Sequence, residues 1–268
     1  MKHTKKLLAC LLAMLMVLSC TIVFASCGSD EKVITVGYTI YEPMNYKDDN
    51  GKLIGFDTEL AEAVFGNLGY KIIFKEINWQ NKYTDLNSGT IDCIWNGFTA
   101  NTADDDGVAR AEKVDFSYNY MLNKQVIVIK NGTSIASAED LSGKMGVAES
   151  GSAGEGYAKG FEGANVKGVT KQTDALMEVN SGSADFAVLD EQLAKSYCGK
   201  GNYSELTIVE ALSSDAEYYA IGFEKGSELT AKVNAELEKL AKDGTIAELA
   251  KKYGVENTAI VDYADQKK

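Results

Sequence analysis

Histidine, proline and cysteine are scarce in this chain, and two of these scarcities exclude classes of function. The one histidine is His3, so no Ser-His or Cys-His catalytic pair and few kinds of zinc site can form beyond it. The one proline is Pro43. Beyond residue 27 the only cysteines are Cys93 and Cys198, in separate regions, so we expect no disulfide framework.

Positive charge is also in short supply. The formal net charge is −12, and it becomes −15 without residues 1–26, which carry three lysines and no acidic residue. This balance disfavours nucleic acid and anionic membrane surfaces as partners. Arg110 is the only arginine among 27 lysine and arginine residues. A guanidinium can bind a carboxylate through two parallel hydrogen bonds, so Arg110 is either an ordinary surface cation or a dedicated carboxylate ligand.

A long apolar run occurs once, at residues 7–25, and three lysines precede it. This pattern predicts a secretory signal over residues 1–26, with a single membrane-spanning anchor as the alternative. The sequence Ala25-Ser26-Cys27 resembles the lipobox of bacterial lipoproteins, although Phe24 stands where leucine is usual. We therefore expect a diacylglycerol anchor on Cys27, with the exported protein tethered to the membrane at the cell surface or on its periplasmic face.

Two series of alternating strands and helices follow. The first has strands at 33–37, 71–77 and 91–97, with Asp57 placed to cap the intervening helix. The second has strands at 125–131, 144–150 and 186–190. Alternation of this kind predicts an α/β fold with a mainly parallel sheet in each series, flanked by helices.

No flexible linker separates the two series, which indicates two lobes joined by strand-like crossings near 123–125 and 218–220. The first lobe would be discontinuous, comprising residues 27–123 plus 219–268. The second lobe would comprise residues 124–218. In parallel sheets the carboxyl ends of the strands collect the ligand-binding loops, so Tyr41, Trp79 and residues 95–99 should share one rim.

The order of several segments resembles the polar amino acid-binding family of bacterial extracellular solute-binding proteins, the receptors of ABC importers. The segments are VGYTIYEPMNY, DDNGKLIGFDTELAEAV, LNSGTIDCIWNGFT, VDFSYNYMLNKQVIV, DLSGKMGVAESGSAGE, VNSGSADFAVLDEQLA and LAKDGTIAELAKKYG. The resemblance covers about residues 33–253. It implies a two-lobed periplasmic-binding-protein-like fold of type II, which closes by hinge motion on a polar amino acid and delivers it to the permease membrane subunits.

The same resemblance implies roles for individual residues. Aromatic walls would come from Tyr41 and Trp79, and contacts to the α-amino and α-carboxylate groups from Gly97 and Thr99. Arg110 would bind the carboxylate together with Ser152 and the N–H of Ala153, and Asp190 would accept the ammonium. Alone, Asp190 would be a helix N-cap, and both roles are compatible. Glu149 and Phe56 are weaker candidates for side-chain recognition.

Residues 100–109 depart from the family pattern, which places about four residues between the threonine and the arginine. Here ten residues separate Thr99 from Arg110, and they include Asp104, Asp105 and Asp106. Either the inserted loop returns Arg110 to the cleft or another residue meets the carboxylate. We expect a solvated acidic loop rather than a calcium site, because no glutamate stands at the twelfth position.

Two other classes of function stay open. One is an enzyme on the same scaffold, similar to cyclohexadienyl dehydratase, in which Asp190, Glu149 or Glu42 would act as acid or base. The other is a ligand-sensing module of a receptor. We expect a monomeric, non-enzymatic binding protein without cofactor or metal, and the bound amino acid is not determined by these patterns.

Overall fold

The computed structural model of the protein describes residues 31–266. The predicted signal segment and the proposed lipidation site at Cys27 lie outside these residues. Within them, the strands in chain order are β1 Lys32–Tyr38, β2 Tyr46–Lys47, β3 Leu53–Ile54, β4 Tyr70–Glu76, β5 Cys93–Ile94, β6 Asp115–Phe116, β7 Met121–Asn123, β8 Gln125–Lys130, β9 Met145–Glu149, β10 Asn165–Val169, β11 Phe186–Asp190, β12 Leu206–Val209, β13 Glu217–Tyr219 and β14 Gly222–Phe223.

The helices connect and cover these strands. The α-helices are α1 Phe56–Asn67, α2 Lys82–Asn87, α3 Arg110–Lys113, α4 Ala153–Lys159, α5 Gln172–Ser181, α6 Glu191–Tyr197, α7 Leu229–Lys242 and α8 Thr245–Tyr253. The 3₁₀ turn Trp79–Asn81 leads directly into α2. No helix in residues 31–266 is long and apolar enough to cross a membrane.

Two five-stranded sheets form the centres of the two lobes. The first has the order β4-β1-β5-β14-β6, and the second has the order β10-β9-β11-β8-β12. The strand β8, with the sequence QVIVIK, is buried along nearly its whole length, as β-branched residues favour. The predicted two-lobed α/β fold is confirmed.

Both sheets are mixed, so the expectation of mainly parallel sheets was too strong. In the described chain each five-stranded sheet has two parallel and two antiparallel pairings. The antiparallel pairings involve β14 in the first sheet and β8 in the second. These strands enter their sheets directly from the segments that run between the lobes, without a helical crossover, and so can run in the opposite direction.

The two segments that run between the sheets pair with each other. β7 and β13 form an antiparallel ribbon in which Asn123 faces Glu217 and Met121 faces Tyr219. The C-terminal helices then return to the first sheet. Asn67 at the end of α1 donates a 2.5 Å hydrogen bond to Glu236 of α7, and β14 completes the first sheet.

Candidate functional site

A small, largely enclosed cavity of about 10 Å³ lies where loops from both sheets meet. The first lobe contributes residues that follow β4 and β5, and the second contributes the ends of β9 and β11 and the start of α4. The lining residues are Trp79, Asn96, Gly97, Thr99, Arg110, Glu149, Ser152, Ala153, Gln172 and Asp190. The structure therefore brings together eight of the residues proposed from the sequence.

Asn96 and Gln172 also line the cavity, and sequence reasoning did not select them. Asn96 donates to the carbonyl of Thr39 at 2.9 Å and to Oδ1 of Asn45 at 2.7 Å, which joins the loops after β1 and β5. Gln172 donates to Oδ2 of Asp190 at 2.5 Å. The only signals in the sequence were that Asn96 precedes Gly97 and that Gln172 stands at the start of a predicted helix.

Tyr41 and Phe56 are not among the residues that line the cavity in this closed conformation. The hydroxyl of Tyr41 lies 2.6 Å from that of Tyr219, and a Cβ on Gly97 would lie 2.6 Å from Cε1 of the Tyr41 ring. Phe56 stacks on Tyr120 with ring centroids 6.3 Å apart. Both rings are buried in the core, and their role as ligand contacts stays a prediction.

Gly97 needs its lack of a side chain. It has φ +55°, and a Cβ there would lie 2.6 Å from Cε1 of Tyr41. Its N–H donates to Oδ2 of Asp57 at 2.9 Å. Asp57 lies inside α1, whose N-cap is Gly55, so the prediction that Asp57 caps this helix is wrong. Burial raises the pKa of Asp57 to about 7, against the opposing hydrogen bonds from Gly97 and Tyr120.

The inserted loop returns Arg110 to the cavity. Arg110 is 1% exposed, and its Nε donates to Oδ1 of Asp104 at 2.8 Å. Lys113 binds Oδ2 of the same carboxylate at 2.8 Å. Burial acts to raise the pKa of Asp104, but the hydrogen bond from Lys113 and the charges of Arg110 and Lys82 lower it to about 2. The acidic loop is thus ion-paired rather than simply solvated.

The outer end of the Arg110 guanidinium keeps two donors. Nη1 donates to the carbonyl of Thr99 at 3.2 Å, and Nη2 donates to the carbonyl of Gly151 at 3.3 Å. Together with the bond from Nε, these contacts use three of its five N–H groups. One N–H therefore remains on each terminal nitrogen as a donor for a carboxylate.

The second lobe contributes a capped helix start and a buried carboxylate. Oγ of Ser152 accepts the N–H of Glu155 at 3.0 Å, which caps α4. Asp190 occupies the N-cap position of α6 but makes no capping bond with its side chain. Its Oδ1 accepts instead from Asn123 at 2.8 Å and Gln125 at 2.6 Å.

A buried lysine that sequence reasoning missed lies beside Arg110. Lys82 is 2% exposed, and its Nζ lies 5.1 Å from the ring centroid of Trp79 and 4.7 Å from that of Tyr83. Burial and then the charge of Arg110 lower its pKa to about 7. Lys82 lies one helical turn after Trp79, and no other pattern in the sequence indicated a functional role for it.

The two lobes contact each other directly across the cavity mouth. Nζ of Lys82 donates to the carbonyl of Gly151 at 3.0 Å, beside the bond from Arg110. An ion pair of 2.6 Å joins Asp105 of the inserted loop to Lys159 of α4. A second ion pair, of 2.5 Å, joins Glu76 to Lys171. The described conformation is therefore a closed one.

The comparisons with known proteins agree with this architecture. A family model described as bacterial extracellular solute-binding proteins, family 3, matches residues 34–256. This chain belongs to that family. Family relatives include the arginine-binding extracellular protein ArtP of Bacillus subtilis, 28% identical over 90% of this chain and 96% of its own length.

Two further proteins are similar to this chain over most of its length. The L-cystine-binding protein TcyA of Bacillus subtilis is 32% identical over 82% of this chain and 81% of its own length. The solved structure of an ancestral arginine-binding protein bound to arginine is 35% identical, with a TM-score of 0.76. It covers 83% of this chain and 98% of that one. The family membership predicted from the sequence is confirmed.

Proposed function

We propose that the protein captures an amino acid between its two lobes and presents it to the membrane subunits of an ABC importer. The observation that carries this proposal is that Arg110, with one N–H left on each terminal nitrogen, lines the same cavity as Asp190. A zwitterion that leaves water needs its carboxylate and its ammonium met by opposite charges.

Each lobe supplies one of these charges. Arg110 belongs to the first lobe, whereas Ser152, Ala153 and Asp190 belong to the second. The ligand would therefore bridge the lobes and stabilise the closed form over the open one. Gly97 and Thr99 would contact the amino and carboxylate groups, and Trp79 would pack against the side chain.

The lobe boundaries and the partners are part of the same proposal. We assign residues 27–123 plus 219–268 to one lobe and residues 124–218 to the other, with the β7–β13 ribbon as the hinge. The permease would recognise the closed form of a monomer. The relatives named for arginine and cystine support an amino acid as the ligand.

A thermal-shift panel of the twenty amino acids plus cystine tests the proposal. Binding to the folded state raises its stability by about 2.7 kcal/mol at a ligand concentration one hundred times Kd. We expect one or a few amino acids to raise the melting temperature, followed by a measurable Kd in calorimetry. If no amino acid shifts it, the proposal is wrong.

We propose that a lipid on Cys27 anchors the exported protein. The supporting observation is the lipobox-like sequence before Cys27. The variant Cys27→Ser should appear in the soluble fraction of cells, whereas the unaltered protein sediments with membranes. Continued sedimentation of Cys27→Ser would contradict lipidation.

We propose no chemical step for this site. Glu149 and Asp190 are the acidic groups that line the cavity, and amides donate to both Asp190 oxygens. Formation of a new product from any bound amino acid or cyclic analogue, followed by mass spectrometry, would favour an enzyme instead.

A further inference from the structure

Glu149 is the cavity residue whose environment least suits it. It ends β9, its side chain is 3% exposed, and it lines the cavity. Its Oε1 is buried and has no hydrogen-bond partner. A buried polar atom without a partner costs about 1–3 kcal/mol, and more when the group is charged.

The other acid that lines the cavity is satisfied in a way that Glu149 is not. Three side-chain amides donate to Asp190, from Asn123, Gln125 and Gln172. Glu217, behind the cavity, accepts from Gln125 at 2.8 Å and from Thr99 at 3.2 Å. Among the two acids that line the cavity, Asp190 therefore has partners on both oxygens, whereas Oε1 of Glu149 has none.

The nearest buried cation does not provide the missing partner. Lys82 donates to the carbonyls of Gly151 at 3.0 Å and Trp79 at 3.5 Å. No ion pair within 4.0 Å joins Lys82 to Glu149 in the described residues. Lys82 therefore acts on Glu149 only through its electrostatic field. A cation that pairs directly with Glu149 would have to come from the ligand.

We propose that Glu149 selects amino acids that carry a second cationic nitrogen in the side chain. This inference rests on the proposed function, because it assigns Arg110 and Asp190 to the backbone groups of the same ligand. A second nitrogen would then reach Glu149 at the end of β9. Pairing with a ligand cation compensates the desolvation of the carboxylate, which a neutral side chain cannot do.

Matched pairs of amino acids test the proposal with the unaltered protein. Arginine and citrulline have nearly the same shape, but only arginine is charged, and lysine and norleucine form a second such pair. We expect the charged member of at least one pair to bind more than tenfold tighter in calorimetry. Equal or tighter binding of the neutral members, with neutral amino acids as the preferred ligands, would overturn the proposal.

The variant Glu149→Gln tests whether the preference comes from this residue, because it keeps the shape and can still hydrogen-bond. It should reduce the ratio of the affinities for the charged and the neutral amino acid at least tenfold. The Kd of the neutral amino acid should stay within about threefold of its value for the unaltered protein. Retained binding of the neutral amino acid shows that the variant is folded. An unchanged ratio would refute the role of Glu149, whereas absence of binding by any amino acid to the unaltered protein would refute the proposed function itself.

A second cationic nitrogen has two chemical sources, which the panel separates. Lysine and arginine carry it alone, whereas cystine carries it beside a second carboxylate. We expect Lys82, which donates to the carbonyl of Gly151 next to the lining residue Ser152, to pair with that second carboxylate. If cystine is the ligand, Lys82→Met should weaken cystine at least tenfold, and if a basic amino acid is the ligand, the same variant should leave its binding unchanged or tighter. Either result supports the proposal and identifies the source.

Discussion

The carboxylate of Asp104 lies 2.8 Å from Nε of Arg110, so the loop that separates Arg110 from Thr99 also holds it in place. An insertion before a carboxylate-binding arginine would be expected to displace it. Here the loop folds back through a contact between Ala103 and Ala109, and Gly107 turns it at φ +76°. The insertion thus replaces a short connection with a built support for the guanidinium.

We expect Asp104→Ala to destabilise the ligand-free protein by about 3 kcal/mol, because it removes one partner of a buried ion pair and leaves Arg110 uncompensated. The matched control is Asp106→Ala. Asp106 forms an ion pair with Lys113 and accepts the N–H of Val108, and its side chain is 56% exposed, so its loss should destabilise the protein much less than the loss of Asp104. Urea unfolding of both variants measures the difference, and equal costs would show that Asp104 does not support Arg110.

The variant Arg110→Lys should weaken amino acid binding at least tenfold, or about 1.4 kcal/mol. An ammonium keeps the charge but cannot place two N–H groups on one carboxylate while also binding Thr99 and Asp104. Calorimetry with the best ligand of the panel measures the loss. Unchanged affinity in a folded variant would place Arg110 outside the ligand contacts.

The fold and most of the cavity lining could be predicted because they depend on segment order. Strand ends such as those near Trp79 and at Asp190 are visible in the chain, and parallel pairing places each at the carboxyl edge of its own sheet. The roles of Tyr41 and Phe56 stay predictions, because a residue beyond a strand or at a helix start can face the ligand or pack in the core. In this closed conformation Tyr219 and Tyr120 pack against them.

The supporting residues could not be predicted, because their roles depend on contacts between distant segments. Asp57 has the position of a helix cap in the sequence, yet it binds the N–H of Gly97, forty residues later. Lys82 has the spacing of an ordinary helix residue, and its role depends on Gly151 of the other lobe. Neither contact leaves a local signature.

Gly97→Ala should destabilise the protein more than Gly107→Ala, although both positions have positive φ. Any side chain at such a φ costs about 1 kcal/mol, and this is all that Gly107→Ala should show, because nothing lies within 4 Å of its Cβ position. At Gly97 the new methyl also meets Tyr41 at 2.6 Å and Tyr219 at 3.0 Å, which adds about 1–3 kcal/mol. Equal midpoints in urea unfolding would refute the close packing beneath the cavity.

The pH dependence of binding follows from the environment of Glu149. Burial and then the charge of Asp190 raise its pKa to about 8, with a further contribution from Asp174, against the opposing charges of Lys82 and Lys171. At pH 7 the ligand-free carboxyl is therefore mostly protonated. A cationic side chain favours the ionised form, so binding releases a proton, and affinity should rise with pH between about 6 and 8.

Lys82 also affects the pH dependence of binding, because burial lowers its pKa to about 7. Below pH 7 its ammonium repels a ligand cation, so Lys82 contributes in the same direction. Between pH 7 and 8 Lys82 is mostly neutral, and the ionisation of Glu149 alone should raise the affinity about fivefold. In Glu149→Gln this rise between pH 7 and 8 should disappear, and only the smaller rise below pH 7 that comes from Lys82 should remain. Calorimetry at pH 6, 7 and 8, in two buffers of different ionisation enthalpy, counts the protons released. Equal affinities at pH 7 and 8 in the unaltered protein would mean that no ligand cation reaches Glu149.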